Sequence, residues 1–411
     1  MKSTVTFLLA RRLDDPKSGN SQYLRHFFDL ILQNPASIKL AMAPRRSFGN
    51  LPWMTIDRIV LDRVDSIFWP QAIRIKNTFV SISPVVWIRF FLRLIFLATN
   101  VMKGDRHRRP LSLLGKELSK KETYQLARLS EKIGSDTVIA EYSSLGPVLG
   151  LIKACRKGVF LHDLFSLRAK SFREKGRVPD HHEITVDQEI IRCAPADVLF
   201  HASRSELEFL APSMPDLNHL WVRPEVKRYE LEASTTGSVE TARAVFVGVR
   251  HGGNKDALQH LLEDIWPLVR EMKTDAELWI AGSICQDVPE TQHQGQGISL
   301  LGRVESLSAV GGANNIGLAP TRIASGVSIK VAEYIALGMP TVTLESSLTG
   351  FGTALDDLVV RVSDAEQFAK EIVELFDAPS RRLNLSKTGL EKIGERLDNS
   401  EIIAEFRGRP L

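Results

Sequence analysis

Short apolar runs alternate with longer amphipathic stretches along most of this chain, which is the rhythm of repeated βα units. Lys2–Ala10 (KSTVTFLLA) reads as a buried strand, and a turn-rich loop from Asp14 to Asn20 leads into a helix with Tyr23, Phe27, Leu30 and Ile31 on one face. Two apolar runs, Ile38–Ala43 and Ile56–Leu61, follow without a readable order. Thr137–Tyr142 and Gly158–His162 are further buried strands, and Asp180–Arg192 reads as a helix feeding a strand that stops at Ser203. Apolar periodicity lapses between Asp216 and Thr241, as a linker would. It resumes with strands at Ala244–Val249, Glu277–Ala281 and Ile298–Gly302, and helices fill Ala365–Phe376, Arg382–Leu397 and Ser400–Phe406. Such a rhythm predicts parallel sheets with their ligand loops at the carboxyl edges of the strands.

One run breaks the rhythm. From Val85 to Met102 nearly every position is apolar except Arg89, Arg93 and Asn100, which share one helical stripe. Trp87 lies at its start, and Lys103, Arg106, Arg108 and Arg109 follow its end. A spanning helix needs about 20 residues with few charges, so the run is short for that role. It reads either as an interfacial helix whose basic collar meets anionic headgroups, or as a core helix whose arginines snorkel to the surface. Charge distribution sharpens the first reading. Residues 1–110 carry 18 Lys and Arg against seven Asp and no Glu, a net +11 in a chain whose total is +4. That excess suggests an anionic partner, either a membrane surface or a polyanion.

Composition adds less. At 411 residues with 44% hydrophobic and 25% charged positions, the chain predicts an ordinary globular protein of two domains. Cys155, Cys193 and Cys285 are too far apart for a disulfide framework or a zinc site, and they suit a reducing compartment. The apolar run before Arg11-Arg12 is too short for a signal peptide.

The densest chemistry lies in Ile316–Leu344 (IGLAPTRIASGVSIKVAEYIALGMPTVTL), which reads as strand, loop, helix, turn and strand. Gly338 and Pro340 stop the helix that runs from Val327 to Leu337. Its N-terminus offers free N–H groups to the sheet edge, which suits a phosphate. Lys330 and Glu333 lie one turn apart on one face, a cation for an anion and a carboxylate for two sugar hydroxyls. His162-Asp163 ends a strand and would face a cleft, with Glu141 at a neighbouring strand end; helix capping is the other reading of the pair. Gly252-Gly253 with Arg250, His251 and Lys255 forms a second loop suited to phosphate, and Arg250 is the stronger candidate because its fork can grip bidentately. His181-His182 with Glu183 reads as a solvated surface rather than a metal site. No Asp-x-Asp ends a strand, so the sequence predicts chemistry with no metal and no cofactor.

Pro-x5-Gly-x3-Lys-x2-Glu (320–333) followed by Ala-x-Gly-x-Pro-x-Val (336–342) resembles the donor-binding signature of GT-B glycosyltransferases, above all the retaining group called family 4. The resemblance implies an α/β, GT-B architecture: two Rossmann-like doubly wound domains facing each other across a cleft. They would span residues 1–222 and 223–397, with 398–411 returning to the first domain. It implies that the amides of Ser325, Gly326 and Val327, with Lys330, hold the donor diphosphate, and that Glu333 holds the ribose. Arg250 and Lys255 would add cations to the diphosphate. Arg303 and Val304 would meet the base, and Gly19 and Asn20 would touch donor or acceptor, although an ordinary tight turn fits Gly19 equally well. A histidine placed like His162 contacts the transferred sugar in the family, and an acid placed like Asp163 or Glu141 is the base of inverting relatives. The family often carries a first glutamate where this chain has Ser325.

The expected activity is transfer of a sugar from a nucleotide-diphosphate sugar to a lipid-linked or cell-surface polysaccharide acceptor. The protein would work in the cytoplasm, peripheral at the inner face of a bacterial membrane, with no nucleic-acid partner. A nucleotide-sugar epimerase and a non-catalytic polyanion-binding module are the alternatives. An epimerase would have no need of the basic apolar helix.

Overall fold

The computed structural model describes residues 2–15, 19–102, 113–153, 155–227, 242–323 and 325–407. Ten strands belong to the first half: β1 (Ser3–Leu9), β2 (Ala36–Met42), β3 (Trp53–Thr55), β4 (Ser66–Phe68), β5 (Ala72–Ile75), β6 (Thr78–Ser81), β7 (Thr137–Glu141), β8 (Arg156–Leu161), β9 (Val198–His201) and β10 (Asn218–Trp221). Seven of them form a parallel sheet in the order β10-β9-β8-β7-β1-β2-β4. The second half contributes β11 (Arg243–Val247), β12 (Leu278–Ala281), β13 (Ile298–Gly302), β14 (Asn315–Ala319), β15 (Thr341–Leu344) and β16 (Val360–Val362). These form a second parallel sheet in the order β13-β12-β11-β14-β15-β16. The chain is α/β with the GT-B arrangement of two doubly wound domains.

Each sheet reverses its winding beside its first strand, between β1 and β7 in one domain and between β11 and β14 in the other. The connections diverge there, and their divergence leaves a crevice at the carboxyl ends of the strands. The central strands are apolar on both faces because helices cover both, as an all-parallel sheet requires. Phe7 of β1, Phe160 of β8 and Phe200 of β9 are buried against Phe27, with ring centroids 4.6 to 5.7 Å from it. Each such side chain contributes about 1.5–3 kcal/mol by leaving water. The last helix, Ser400–Glu405, packs on the first domain, where Ile402 and Phe406 enter its core.

Several local readings change. The helix read at Asp180–Arg192 starts only at Val186, because Thr185 and Gln188 form a capping box that fixes its first turn there. Part of the linker read at Asp216–Thr241 is the edge strand β10, paired in parallel with β9; residues 228–241 lie outside the described residues. The unordered region before the apolar helix contains a three-stranded antiparallel sheet, β3-β6-β5, absent from the sequence reading. Its strands are three or four residues long, too short for a period of two to stand out.

The apolar run forms the helix Pro84–Met102. It is not a core helix. Val86 is buried, but Ile88, Phe91, Leu92, Ile95, Phe96 and Leu97 are all exposed, Ile95 by 60%. Trp87 donates its indole N–H to the Ser81 carbonyl at 2.8 Å and lies near Trp53, which anchors the first turn. Arg89 is exposed and Arg93 half-buried, while Lys103, Arg106, Arg108 and Arg109 lie outside the described residues. Among the described residues no helix is long and apolar enough to cross a membrane.

Candidate functional site

The first domain brings its polar cluster to the crevice between β1 and β7. Arg11 follows β1, Glu141 ends β7, and His162-Asp163 follow β8, so three strand ends deliver neighbouring side chains. Glu141, 1% exposed, accepts from Arg11 Nε at 2.9 and 3.0 Å, and its Oε1 lies 2.9 Å from His162 Nε2. Burial alone would raise the Glu141 pKa. The Arg11 cation and the His162 hydrogen bond outweigh it and hold the carboxyl below its ordinary value. A carboxylate can only accept, so His162 Nε2 carries the proton of this hydrogen bond. Glu141 is thus committed to orienting Arg11 and His162.

Asp163 is tied by Oδ2 to Arg168 at 2.5 Å. Its Oδ1 is buried and has no hydrogen-bond partner among the described residues, so one acceptor at the cleft is unspent. Tyr142 takes a positive φ of 65°, a conformation that costs about 1–3 kcal/mol for a residue with a side chain. Its ring packs against His162 at 4.8 Å between centroids, and its hydroxyl accepts from the Asn20 side-chain amide. Gly19 opens the helix Gly19–Leu32, and a Cβ there would lie 3.7 Å from Ile329 of the second domain.

The second domain answers with the loops after β11 and β14. Lys330, in the first turn of the helix Ile329–Ala336, donates to Asn254 Oδ1 at 2.7 Å and stands 4.5 Å from the Phe246 ring centroid. Burial pushes its pKa down to about 8, against the upward pull of Glu333. Gly326, at φ +62°, faces His162 directly: a Cβ there would stand 2.7 Å from the His162 carbonyl oxygen. Only glycine allows that approach. Ser325 and Val327 flank it, both half-buried.

Other sequence candidates lie elsewhere. Arg250 binds Asp287 through Nε and Nη2, each at 2.8 Å, and Lys255 reaches the same carboxylate at 2.9 Å. Both cations of that loop are therefore neutralised by a side chain that the sequence reading did not pick out. Glu333 opens into a hollow between the domains lined by Gln22, Tyr23, His26, Glu225 and Lys227. Burial raises its pKa, with Lys227 and Lys330 opposing. Arg303 is exposed and Val304 half-buried after β13. Among the described residues no group of three or more His, Cys, Asp or Glu converges as metal ligands would. Sequence reasoning missed Arg11, Tyr142, Glu206 and Asn254. Of these, only Asn254 gave a local signal, since it follows the paired glycines of a loop already suspected.

Residues 241–378 match the family model described as Glycosyl transferases group 1. No curated protein matches this chain significantly in sequence. Among solved structures it resembles sucrose-phosphate synthase from Thermosynechococcus elongatus, with TM-score 0.64, 12% identity and coverage of 98% of this chain and 97% of that one. TarM of S. aureus superimposes with TM-score 0.64 at 9% identity over 99% of both chains. HepE of Anabaena, solved with UDP and glucose, gives TM-score 0.59 at 11% identity over 98% of both. Residues 241–378 thus carry the Glycosyl transferases group 1 match, and the whole chain shares the GT-B fold of these structures.

Proposed function

We propose that the protein transfers a sugar, with retention of configuration, from a nucleotide-diphosphate sugar to a lipid-linked or cell-surface polysaccharide acceptor. The observation that carries the donor half is the Lys330 ammonium at a helix N-terminus, with the Gly326 turn beside it at the winding reversal of the second sheet. As the bond between the sugar and the diphosphate breaks, negative charge develops on the departing phosphate oxygen. A fixed cation and helix amides stabilise that charge without reorganising. The His162-Asp163 turn of the other domain lies against this loop, and His162 with the unpartnered Asp163 Oδ1 would receive sugar or acceptor hydroxyls. A structural neighbour solved with UDP and glucose supports a nucleotide-bearing donor without selecting the base. Transfer assays with UDP-, GDP- and ADP-sugars in excess chelator test this reading. One nucleotide sugar should be consumed at the full rate; loss of activity with the chelator would defeat metal-independent transfer.

The acceptor half rests on the exposed apolar face of Pro84–Met102 within a strongly basic first domain. Apolar side chains entering the acyl boundary and arginines at the headgroups would hold the protein peripherally at the inner face of a bacterial membrane. A lipid-linked acceptor would then reach the crevice from that surface. Vesicles containing anionic lipid should co-sediment with the protein. Replacing Phe91 and Ile95 by Ser should weaken binding at least tenfold, since each buried methylene contributes about 0.8 kcal/mol. Equal binding by that variant would remove the helix from the contact.

A further inference from the structure

Glu206 is a buried acid that nothing above uses. It lies in the helix Arg204–Leu210 of the first domain and is 4% exposed. Ser203 caps this helix by accepting the Glu206 N–H, and a glutamate at this position ordinarily turns back to the cap in solvent. Here the side chain leaves its own helix. Oε2 accepts the Leu164 N–H at 2.9 Å, and Oε1 accepts the Gly326 N–H at 2.9 Å. Leu164 directly follows His162-Asp163, while Gly326 belongs to the donor loop of the other domain. One carboxylate therefore joins the two halves of the crevice at the point where Gly326 presses on the His162 carbonyl.

The arrangement costs stability. Burial and the neighbouring Asp163 push the Glu206 pKa up to about 8, against the two amide hydrogen bonds, and Glu189 adds to the rise. Among the described residues no cation hydrogen-bonds to it; Arg168 is engaged by Asp163 and Asp180. A leucine or methionine would avoid that desolvation but would leave the Leu164 and Gly326 amides without an acceptor.

We propose that Glu206 is a positioning residue of the transfer reaction, fixing the donor loop through the Gly326 amide against the His162–Leu164 turn. The proposal rests on the donor reading of residues 325–330. It follows that the reacting centres on the two domains are held in register by this carboxylate, and that loosening it harms turnover more than donor binding.

The test uses the full chain with Glu206→Ala and Glu206→Gln, reading transfer kinetics, UDP affinity by calorimetry and Tm. Misplacement by about 1 Å costs on the order of a hundredfold in rate, so Glu206→Ala should lose 30- to 100-fold in kcat. Its UDP Kd should stay within threefold of wild type, and its Tm should fall only modestly, because relief of the buried carboxyl offsets part of the loss from the two amides left without an acceptor. Glu206→Gln, which keeps one acceptor oxygen, should lie between. An unchanged kcat in both variants beside an active wild type overturns the proposal alone. A wild type that neither binds UDP, GDP or ADP nor transfers sugar overturns the donor reading and the proposal with it. If neither variant folds, amide exchange on the wild type decides: the Gly326 and Leu164 amides should be protected together, and open-loop exchange at Gly326 would show that no clamp exists.

Discussion

Replacing Lys330 by Ala should lower kcat/KM by about 10²–10³-fold, the usual loss when one preorganised charge-stabilising donor is removed. The structure gives the reason. Its ammonium is held by Asn254 and the Phe246 ring at the start of a helix, so it is aimed before any substrate arrives. Folding should not suffer. Burial already disfavours the charged form and brings the pKa from 10.5 down to about 8. The unfolded chain holds this proton up to higher pH than the folded one, so stability should rise as pH increases from about 8 towards 10.5. Lys330→Ala should abolish that rise and leave Tm at neutral pH equal or higher. The same depression makes the cation titratable: kcat/KM of the wild type should decline above about pH 8. Steady-state kinetics and thermal melts across pH check both halves. A variant that loses stability but keeps its rate would take Lys330 out of the site.

Glu141→Ala should cost about 3–5 kcal/mol of stability, because it takes the paired carboxylate away from the largely buried Arg11. His162 would lose the acceptor that fixes its ring, so kcat should fall as well. The sign with pH follows from the depressed carboxyl pKa. Glu141 contributes fully above its ordinary value of 4.5, and the contribution fades as pH falls below it. Chemical denaturation at pH 7 and pH 4 should show a large gap between wild type and variant at the first and a smaller one at the second. Equal stability at pH 7 would mean that the Arg11–Glu141–His162 chain contributes nothing.

The two mutations separate roles that looked alike in one dimension. Glu141, His162 and Asp163 all read as strand-end groups with a catalytic character. In three dimensions Glu141 is saturated by Arg11 and His162, and Asp163 alone keeps a buried oxygen unspent. Arg250 and Lys255 read as phosphate cations from their loop, yet Asp287 stands 32 residues beyond Lys255 and takes both. Nothing in a linear pattern signals a partner at that separation.

What the sequence determined by itself was whatever depends on neighbours along the chain. The βα rhythm, the stop at Gly338 and Pro340, the Lys330–Glu333 spacing and the existence of the apolar helix follow from periods of two and 3.6 and from turn chemistry, while the exposure of that helix came from the structure. These fix the fold class and point to the donor loop. Tertiary structure alone decided which charges are free, which are paired and which touch across the cleft. Side chains such as Arg11, Glu206 and Asp287 acquire their meaning from atoms more than 30 residues away, and both burial and Coulomb energy depend on distance in space.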